Sequence, residues 1–247
     1  MLQRYHRPPL VEATYEVFVR DAPGWSQLSE QQLEQNLKAS FSGQRETLEP
    51  VGVDILLGPR GVSHSPVQGA KRVRLWSEDK GSLVQFSQEM AALNVLLAGY
   101  SSYASVVPQL ENVVRAYLSA SQPTRLAWIG QRYLNKIELP TAASEASTYF
   151  HYYPRVPAVG IHRPFALQVV SEVFDGGEVV LNLTFKGKHG ERPIYFLGIY
   201  ARSNVEIEPR LETIMRWQTT AHEAIRRSFT AALTDSCRQL FDEEVQP

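Results

Sequence analysis

A two-residue alternation of apolar and polar positions predicts a long strand at Arg125–Leu139. Successive side chains of a strand point to opposite faces of its sheet. One face is the better core face, with Ala127, Ile129, Gln131, Tyr133, Asn135, Ile137 and Leu139. The other mixes apolar and charged residues: Leu126, Trp128, Gly130, Arg132, Leu134, Lys136 and Glu138. The pattern therefore predicts one face buried in the core and one face partly exposed to solvent.

Similar alternation, or a short apolar run, predicts the other strands. They are expected at Leu10–Val19, Val51–Leu57, Lys71–Trp76, Leu83–Gln88, Phe165–Phe174, Glu178–Lys186 and Pro193–Arg202. The segment Gly58–Gly69 is rich in Gly, Pro and Ser, which predicts an exposed loop. Glycines in Glu78–Gly81, Asp175–Gly177 and Gly187–Gly190 are typical of hairpin turns.

Apolar residues spaced three or four apart predict three helices. The first is Ser29–Phe41, where Ser29 followed by Gln32 has the spacing of a capping box. The second is Tyr103–Leu118, capped by one of the two serines before it. The third begins near Pro209, a natural first-turn residue, and ends or restarts at Thr234. The capping-box spacing of Thr220 and Glu223 leaves a kink or restart near Thr219 open.

Three strands followed by a long helix occur twice, over Val51–Leu118 and Phe165–Phe241. This organisation predicts an α+β fold with antiparallel sheets, built from two halves that each contain a β-meander and a long helix. The helices are expected to pack on one face of each sheet. The domain boundary is placed in the small, polar residues 140–147. Residues 1–140 form the N-terminal half and 148–247 the C-terminal half, packed as one unit.

The charge is nearly balanced, with 25 Lys and Arg against 26 Asp and Glu in 247 residues. A net charge of −1 disfavours a general attraction to nucleic acid or acidic lipid. The one cysteine, Cys237, excludes an internal disulfide and a zinc site built of cysteines, and we expect it to pack on the last helix. The polar segment Met1–Arg7 predicts no signal peptide, and the apolar runs are strand-sized. We therefore expect a cytoplasmic protein with no membrane association.

Motifs that carry known chemistry are absent from the sequence. None of the six histidines has metal-ligand spacing with another, and no P-loop, Gly-x-Ser-x-Gly elbow or dinucleotide-binding glycine run occurs. The sequence therefore predicts no catalytic residue, no metal and no cofactor.

Charged residues on the strands are the candidate ligand-binding set. They are Glu12, Glu16, Arg72, Arg74, Arg132, Lys136 and Glu138. If these residues lined one concavity, it would bind a polyanion such as a nucleotide or triphosphate. The alternative is a series of cross-strand salt bridges, each worth less than ~1 kcal/mol when exposed. Aromatic residues beside basic ones, at Trp76 and Tyr133, leave base stacking as a further alternative to packing in the core.

Four segments resemble the motifs of a known family. They are Pro8–Phe18, Gly81–Phe86 with Asn94 and Tyr100, Gln131–Pro140, and Ala221–Asp235. The family is a sporadically distributed group of uncharacterised bacterial and archaeal proteins, with motifs of the Pro-Pro-Leu-Val-Glu-Ala and Arg-Tyr-Ile-Asn-Arg-Ile types. Its members are sometimes found near CRISPR and other mobile defence genes, so the resemblance implies an accessory role in such systems. Gln131 departs from the family pattern, which has a smaller or apolar residue there.

Two functional hypotheses follow. The first is a non-catalytic adaptor that binds a protein partner, in the CRISPR or antiviral defence setting that the resemblance implies. The second is a nucleotide- or polyphosphate-binding protein, similar to a phosphohydrolase, that uses the charged strand faces.

Overall fold

The computed structural model describes residues 5, 7–49, 71–141, 145–153 and 167–241, and the backbone of 51–58, 61–68 and 166. The strands are β1 Leu10–Val19, β2 Arg45–Leu48, β3 Val51–Gly58, β4 Gly61–Gln68, β5 Arg72–Trp76, β6 Ser82–Phe86, β7 Met90–Leu96, β8 Leu126–Glu138, β9 Ala166–Phe174, β10 Gly177–His189 and β11 Arg192–Ser203. The helices are α1 Gln27–Leu37, α2 Tyr103–Ser121, α3 Leu211–Ala232 and α4 Asp235–Gln239.

Nine strands form one antiparallel sheet, in the order β2-β5-β6-β7-β1-β8-β11-β10-β9. Strands β3 and β4 pair with each other in a separate two-stranded sheet. The predicted α+β class with antiparallel strands is therefore confirmed. None of the described helices combines the length and the apolar character that crossing a bilayer requires.

The chain divides into two compact units, each assembled from separate segments. Unit 1 contains Met1–Thr14, Gly130–Val205 and Met215–Pro247, and unit 2 contains Tyr15–Ile129 and Glu206–Ile214. Strands β1 and β8 and helix α3 each contribute residues to both units. The boundary at 140–147 that the sequence suggests stays a prediction.

The alternating strands lie where the sequence places them. Strand β1 has the predicted bounds, and β8 and β9 differ from the prediction by one residue at each end or fewer. On β8, Ile129 and Ile137 are fully buried whereas Arg132 and Lys136 are exposed. The two predicted faces are therefore present in the middle of β8, but Ala127 of the predicted core face is exposed and Leu126 of the other face is buried.

The predicted loop Gly58–Gly69 is wrong, because Gly61–Gln68 is strand β4. It pairs with β3 from Val51↔Gln68 to Gly58↔Gly61. Backbone hydrogen bonding forms this hairpin in a segment whose sequence has no apolar period. As a result β3 does not join the meander with β5, whose partners are β2 and β6.

Two strands of unit 2 were not predicted. The short strand β2 carries the polar sequence Arg45–Leu48, and β7 carries the apolar run Met90–Leu96. Six of the seven residues of β7 are buried, so the two-residue alternation is missing there. A strand buried on both faces resembles any short apolar run.

The start of α1 also differs from the prediction. Its N-cap is Ser26, whose hydroxyl accepts a hydrogen bond from the Ser29 backbone N–H at 3.1 Å. The Ser29 hydroxyl accepts from the Ser26 N–H at 2.7 Å. Serine therefore takes the role that glutamate or glutamine has in the usual capping box, which is why the sequence pattern pointed three residues further on. Two serines at the same spacing, Ser102 and Ser105, cap α2 in the same way.

The predicted turn Gly187–Gly190 is displaced, because β10 continues to His189. The pairing with β11 shifts between Phe185 and Gly187, and Gly187 has a φ of 113°. A glycine adopts this backbone conformation at a β-bulge at little cost. The glycines of the segment Gly187–Gly190 therefore mark a β-bulge followed by a turn. The predicted crossing Pro154–Pro164 lies outside the described residues.

The C-terminal helix is confirmed, with an adjustment at its start. Helix α3 begins at Leu211 and continues through Thr219 without a break. Thr234 caps the next helix, α4, by accepting a hydrogen bond from the Cys237 backbone N–H at 3.3 Å. The predicted restart at Thr234 is therefore present, and Cys237 is fully buried as expected.

Candidate functional site

The sheet of unit 1 has two chemically distinct faces. On one, α3 packs against β8: the Tyr133 hydroxyl lies 2.8 Å from His222 Nδ1, and Gln218 Nε2 donates to the Gly130 carbonyl at 3.2 Å. We call the opposite side the outer face. It is formed by the side chains of Glu12, Arg132, Leu134, Lys136, Phe196 and Tyr200.

Arginine 132 is the first candidate residue on the outer face. Its Nη2 lies 3.6 Å from Glu12 Oε2 and 3.5 Å from the Thr14 hydroxyl. The guanidinium side chain is 46% exposed, so water screens this pair strongly. The structure therefore joins two of the predicted site residues, Glu12 and Arg132, but in a salt bridge of small energetic value.

Lysine 136 and Glu138 continue along the same side of β8. Lys136 is exposed, and the residue directly opposite it on β11 is Phe196. Glu138 turns to the β10–β11 hairpin, where its Oε1 lies 3.5 Å from Arg192 Nη1 and 3.9 Å from His189 Nδ1. Arg192 and His189, which lie near this carboxylate, are not among the candidate residues predicted from the sequence.

Arginine 74 belongs to a polar ladder across unit 2. Its Nη1 lies 3.9 Å from Glu46 Oε2 on β2, and its Nε donates to Gln85 Oε1 on β6 at 3.4 Å. Gln85 in turn donates to Asn94 Oδ1 on β7 at 2.9 Å. Four neighbouring strands are linked side chain to side chain, so Arg74 has a structural role here.

Arginine 72 and Glu16, the remaining candidates, are both half-buried. The Arg72 Nε is buried and has no hydrogen-bond acceptor among the described residues. Its strand neighbour is Leu48, which offers no charge. A buried guanidinium N–H without an acceptor is costly, so Arg72 keeps a donor that its described neighbours do not use.

Aromatic residues on the outer face were not recognised from the sequence. Tyr200 lies directly opposite Arg132, and Phe196 lies opposite Lys136, in the β8–β11 register. Both rings are half-buried. The alternation of β11 could have shown that these rings share a face, but only the register reveals which cations they adjoin. In unit 2, Trp128 stacks on Phe18 with ring centroids 3.9 Å apart.

A buried polar network lies on the other side of β8, against α3. Burial lowers the pKa of His222 to about 4, so the imidazole is neutral near pH 7. Gln131 Nε2 donates to the Tyr133 hydroxyl at 3.1 Å, while the Oε1 atoms of Gln131 and Gln218 are buried without a donor among the described residues. Gln131, the position that departs from the family pattern, is thus a core residue.

Metal and thiol chemistry find no support in the part of the chain that the structure describes. There, no group of three or more His, Cys, Asp or Glu residues is arranged to hold a metal ion. Burial raises the pKa of the Cys237 thiol to about 12. A thiol in this environment stays protonated and is a poor nucleophile.

Comparison with known proteins gives no assignment. No protein-family model matches the chain, and no curated protein matches it significantly. The resemblance carried by the four sequence motifs stays a prediction.

Proposed function

We propose that this protein is a non-catalytic adaptor of the cytoplasm, and that its partner protein binds the outer face of unit 1. The observation that carries the proposal is the local pairing of the candidate charges. Glu12 pairs with Arg132 and Glu138 with Arg192. Charges that neutralise each other in pairs provide orientation and specificity at a protein interface, but they leave little net potential for a phosphate group.

The residues between these pairs fit a protein interface. Tyr, Phe and Arg are enriched in interface cores, and the outer face places Tyr200 beside Arg132 and Phe196 beside Lys136. The half-buried rings offer large contact areas with few rotatable bonds. Two further residues of opposite charge, Glu178 and Arg202, lie opposite each other in the β10–β11 register. A partner with both signs of charge around an apolar centre complements such a surface.

The biological setting that we propose is a CRISPR or other antiviral defence system. The support for it is the resemblance of Pro8–Phe18 and Gln131–Pro140 to the motifs of a family sometimes found near such genes. An accessory subunit of this kind recruits or positions a neighbouring protein and needs no reaction of its own.

The test is an affinity purification from native cells with two matched charge reversals. Lys136→Glu changes the outer face, whereas Arg216→Glu changes an exposed position of α3. We expect the wild type and Arg216→Glu to retain the same partner, and Lys136→Glu or Tyr200→Ala to weaken its binding at least tenfold in a purified two-protein assay. Recovery of no partner by the wild type, or equal binding by all variants, contradicts the proposal.

The competing function, binding of a nucleotide or polyphosphate, is supported by one observation. The buried Nε of Arg72 has unused donor capacity among the described residues, and an anionic oxygen would satisfy it. A thermal-shift screen with inorganic triphosphate and with nucleotides, each with and without Mg²⁺, tests this alternative. Stabilisation that is lost in Arg72→Gln, Arg132→Ala or Glu16→Ala but kept in Lys71→Ala favours nucleotide binding. Turnover of the nucleotide contradicts the proposed adaptor function.

We also propose that each β-meander and the helix after it form one half of the architecture, with the helices on one face. Strands β5, β6 and β7 pair in sequence before α2, and β9, β10 and β11 pair in sequence before α3. The order of these elements supports the proposal.

A further inference from the structure

A cavity of about 300 Å³ lies on the α3 side of unit 1. Strands β9 and β10, helix α3 and the turn at 151–152 line it, and it is open to solvent. Its apolar surface comes from Tyr152, Val169, Leu181 and Ala232, and its polar wall from Ser171, Glu172, Arg227 and Ser228. An apolar pocket with a few convergent polar groups is the usual form of a small-molecule site.

A β-bulge creates the polar wall. In the β9–β10 pairing, Val180 lies opposite Val170 and Val179 lies opposite Glu172, so Ser171 is an extra residue. The insertion resets the alternation, and both Ser171 and Glu172 contact α3. Ser171 Oγ donates to Ser228 Oγ at 3.0 Å, and Glu172 pairs with Arg227. Bulges of this kind commonly re-aim side chains next to functional sites.

The ion pair in the wall has capacity left for a ligand. Arg227 Nε donates to Glu172 Oε1 at 3.1 Å, and this hydrogen bond raises the pKa of Arg227. The other carboxylate oxygen, Oε2, lies at the longer distance of 3.5 Å from Ser228 Oγ. The Arg227 side chain is 55% exposed, so its outer N–H groups remain accessible. One wall therefore presents a carboxylate oxygen and a guanidinium side by side.

The opposite rim is fixed to the same helix. The backbone N–H of His151 donates to the Ala232 carbonyl at 3.0 Å, and the Thr234 N–H donates to the Tyr149 carbonyl at 3.1 Å. These two bonds hold the turn that carries the exposed His151 imidazole against the end of α3. The cavity is thus framed by backbone pairing on the strand side and on the turn side.

We propose that this cavity binds a free α-amino acid with an apolar side chain. The ammonium group of the ligand donates to Glu172 Oε2, and its carboxylate accepts from Arg227 with His151 nearby. The side chain of the ligand lies against Val169 and Leu181. Opposite charges on adjacent groups of the wall match a zwitterion, and the volume suits a single amino acid. This inference is independent of the proposed adaptor function, because it concerns the opposite side of the sheet.

Calorimetry and NMR with L-leucine as the probe test the proposal. We expect a Kd below ~5 mM for a ligand of this size, with chemical-shift changes confined to the cavity lining. N-acetyl-L-leucine removes the ammonium charge, and isopentylamine removes the carboxylate. Each is expected to bind at least tenfold more weakly. Absence of L-leucine binding, or equal binding of all three compounds, overturns the proposal.

Three variants test whether L-leucine binds in this cavity. Glu172→Gln keeps the shape of the wall but removes its charge, and it is expected to weaken L-leucine binding at least tenfold. Ala231→Phe, at an exposed lining position, is expected to fill the cavity and abolish binding without disturbing the core. Glu178→Gln on the outer face is the matched control and should bind as the wild type does. Undiminished binding by Ala231→Phe places L-leucine elsewhere and overturns the proposal.

Discussion

Units 1 and 2 both place an arginine in the middle of a half-exposed strand face, but they use it differently. In unit 2, Arg74 is one member of a side-chain ladder with Glu46, Gln85 and Asn94 across four strands. In unit 1, Arg132 pairs loosely with Glu12 and lies opposite Tyr200 in the β8–β11 register. The same residue type is tied into a network where its strand neighbours are polar, and its side chain stays 46% exposed where the residue opposite it is aromatic.

The largest effect that we expect concerns the two faces of β8 in unit 1. Ile137→Ala removes a fully buried side chain and should lower the free energy of unfolding by about 2–5 kcal/mol. Its neighbour Lys136 is exposed on the outer face, so Lys136→Ala should change that free energy by less than ~0.5 kcal/mol. Urea denaturation of both variants provides the measurement. Equal losses would show that the outer face is also a core face.

Acid should destabilise unit 1 through His222. The imidazole is half-buried and neutral, with a folded-state pKa of about 4 against an ordinary value of 6.5. Between these two values the unfolded chain binds the proton more readily, so stability is complete above pH 6.5 and falls as the pH is lowered toward 4. The loss is on the order of 3 kcal/mol by pH 4.

The control for the acid prediction is His222→Gln, which cannot titrate. We expect its urea midpoint to depend less on pH between 6.5 and 4 than that of the wild type. Desolvation is the main cause of the low pKa, with Arg226 lowering it further and Glu223 opposing it. A His222 resonance, assigned by its absence from the spectrum of His222→Gln, that titrates near pH 6.5 in the folded wild type would contradict this account.

The ladder of unit 2 should be worth more than the pair of unit 1. Arg74→Ala leaves Gln85 Oε1 and Glu46 without their described partner, and we expect a loss of about 1 kcal/mol. Denaturation of the single variants and of the Glu46→Ala/Arg74→Ala double variant gives the coupling free energy. A loss no larger than that of Arg132→Ala would remove the distinction between the two units.

The smallest effect is expected for the exposed pair Glu12 and Arg132. Its coupling free energy in a double-mutant cycle should be below ~0.5 kcal/mol and should decrease as salt is raised. Measurement at low and high sodium chloride concentration separates this screening from packing effects. A coupling above ~1 kcal/mol that is insensitive to salt would assign Arg132 a structural role like that of Arg74.

Much of the fold could be predicted because its strands expose one face. Alternation located β1 and β8 and separated Ile129 and Ile137 from Arg132 and Lys136. Strand β7 was missed because burial on both sides removes the alternation, and β4 was missed because its pairing depends on the backbone. Of the candidate site, the exposure of Arg132 and Lys136 was predictable, whereas their aromatic neighbours were not.

The sequence by itself determined which side chains alternate toward the core in β1 and in the middle of β8, because side-chain direction has a period of two and needs no knowledge of the neighbouring strand. Only the tertiary structure decided which residues meet across strands, since a register is fixed by turns and bulges. The bulge at Ser171 turns Glu172 toward Arg227, and the β8–β11 register places Tyr200 beside Arg132. One residue more or fewer in either strand would have reversed these contacts.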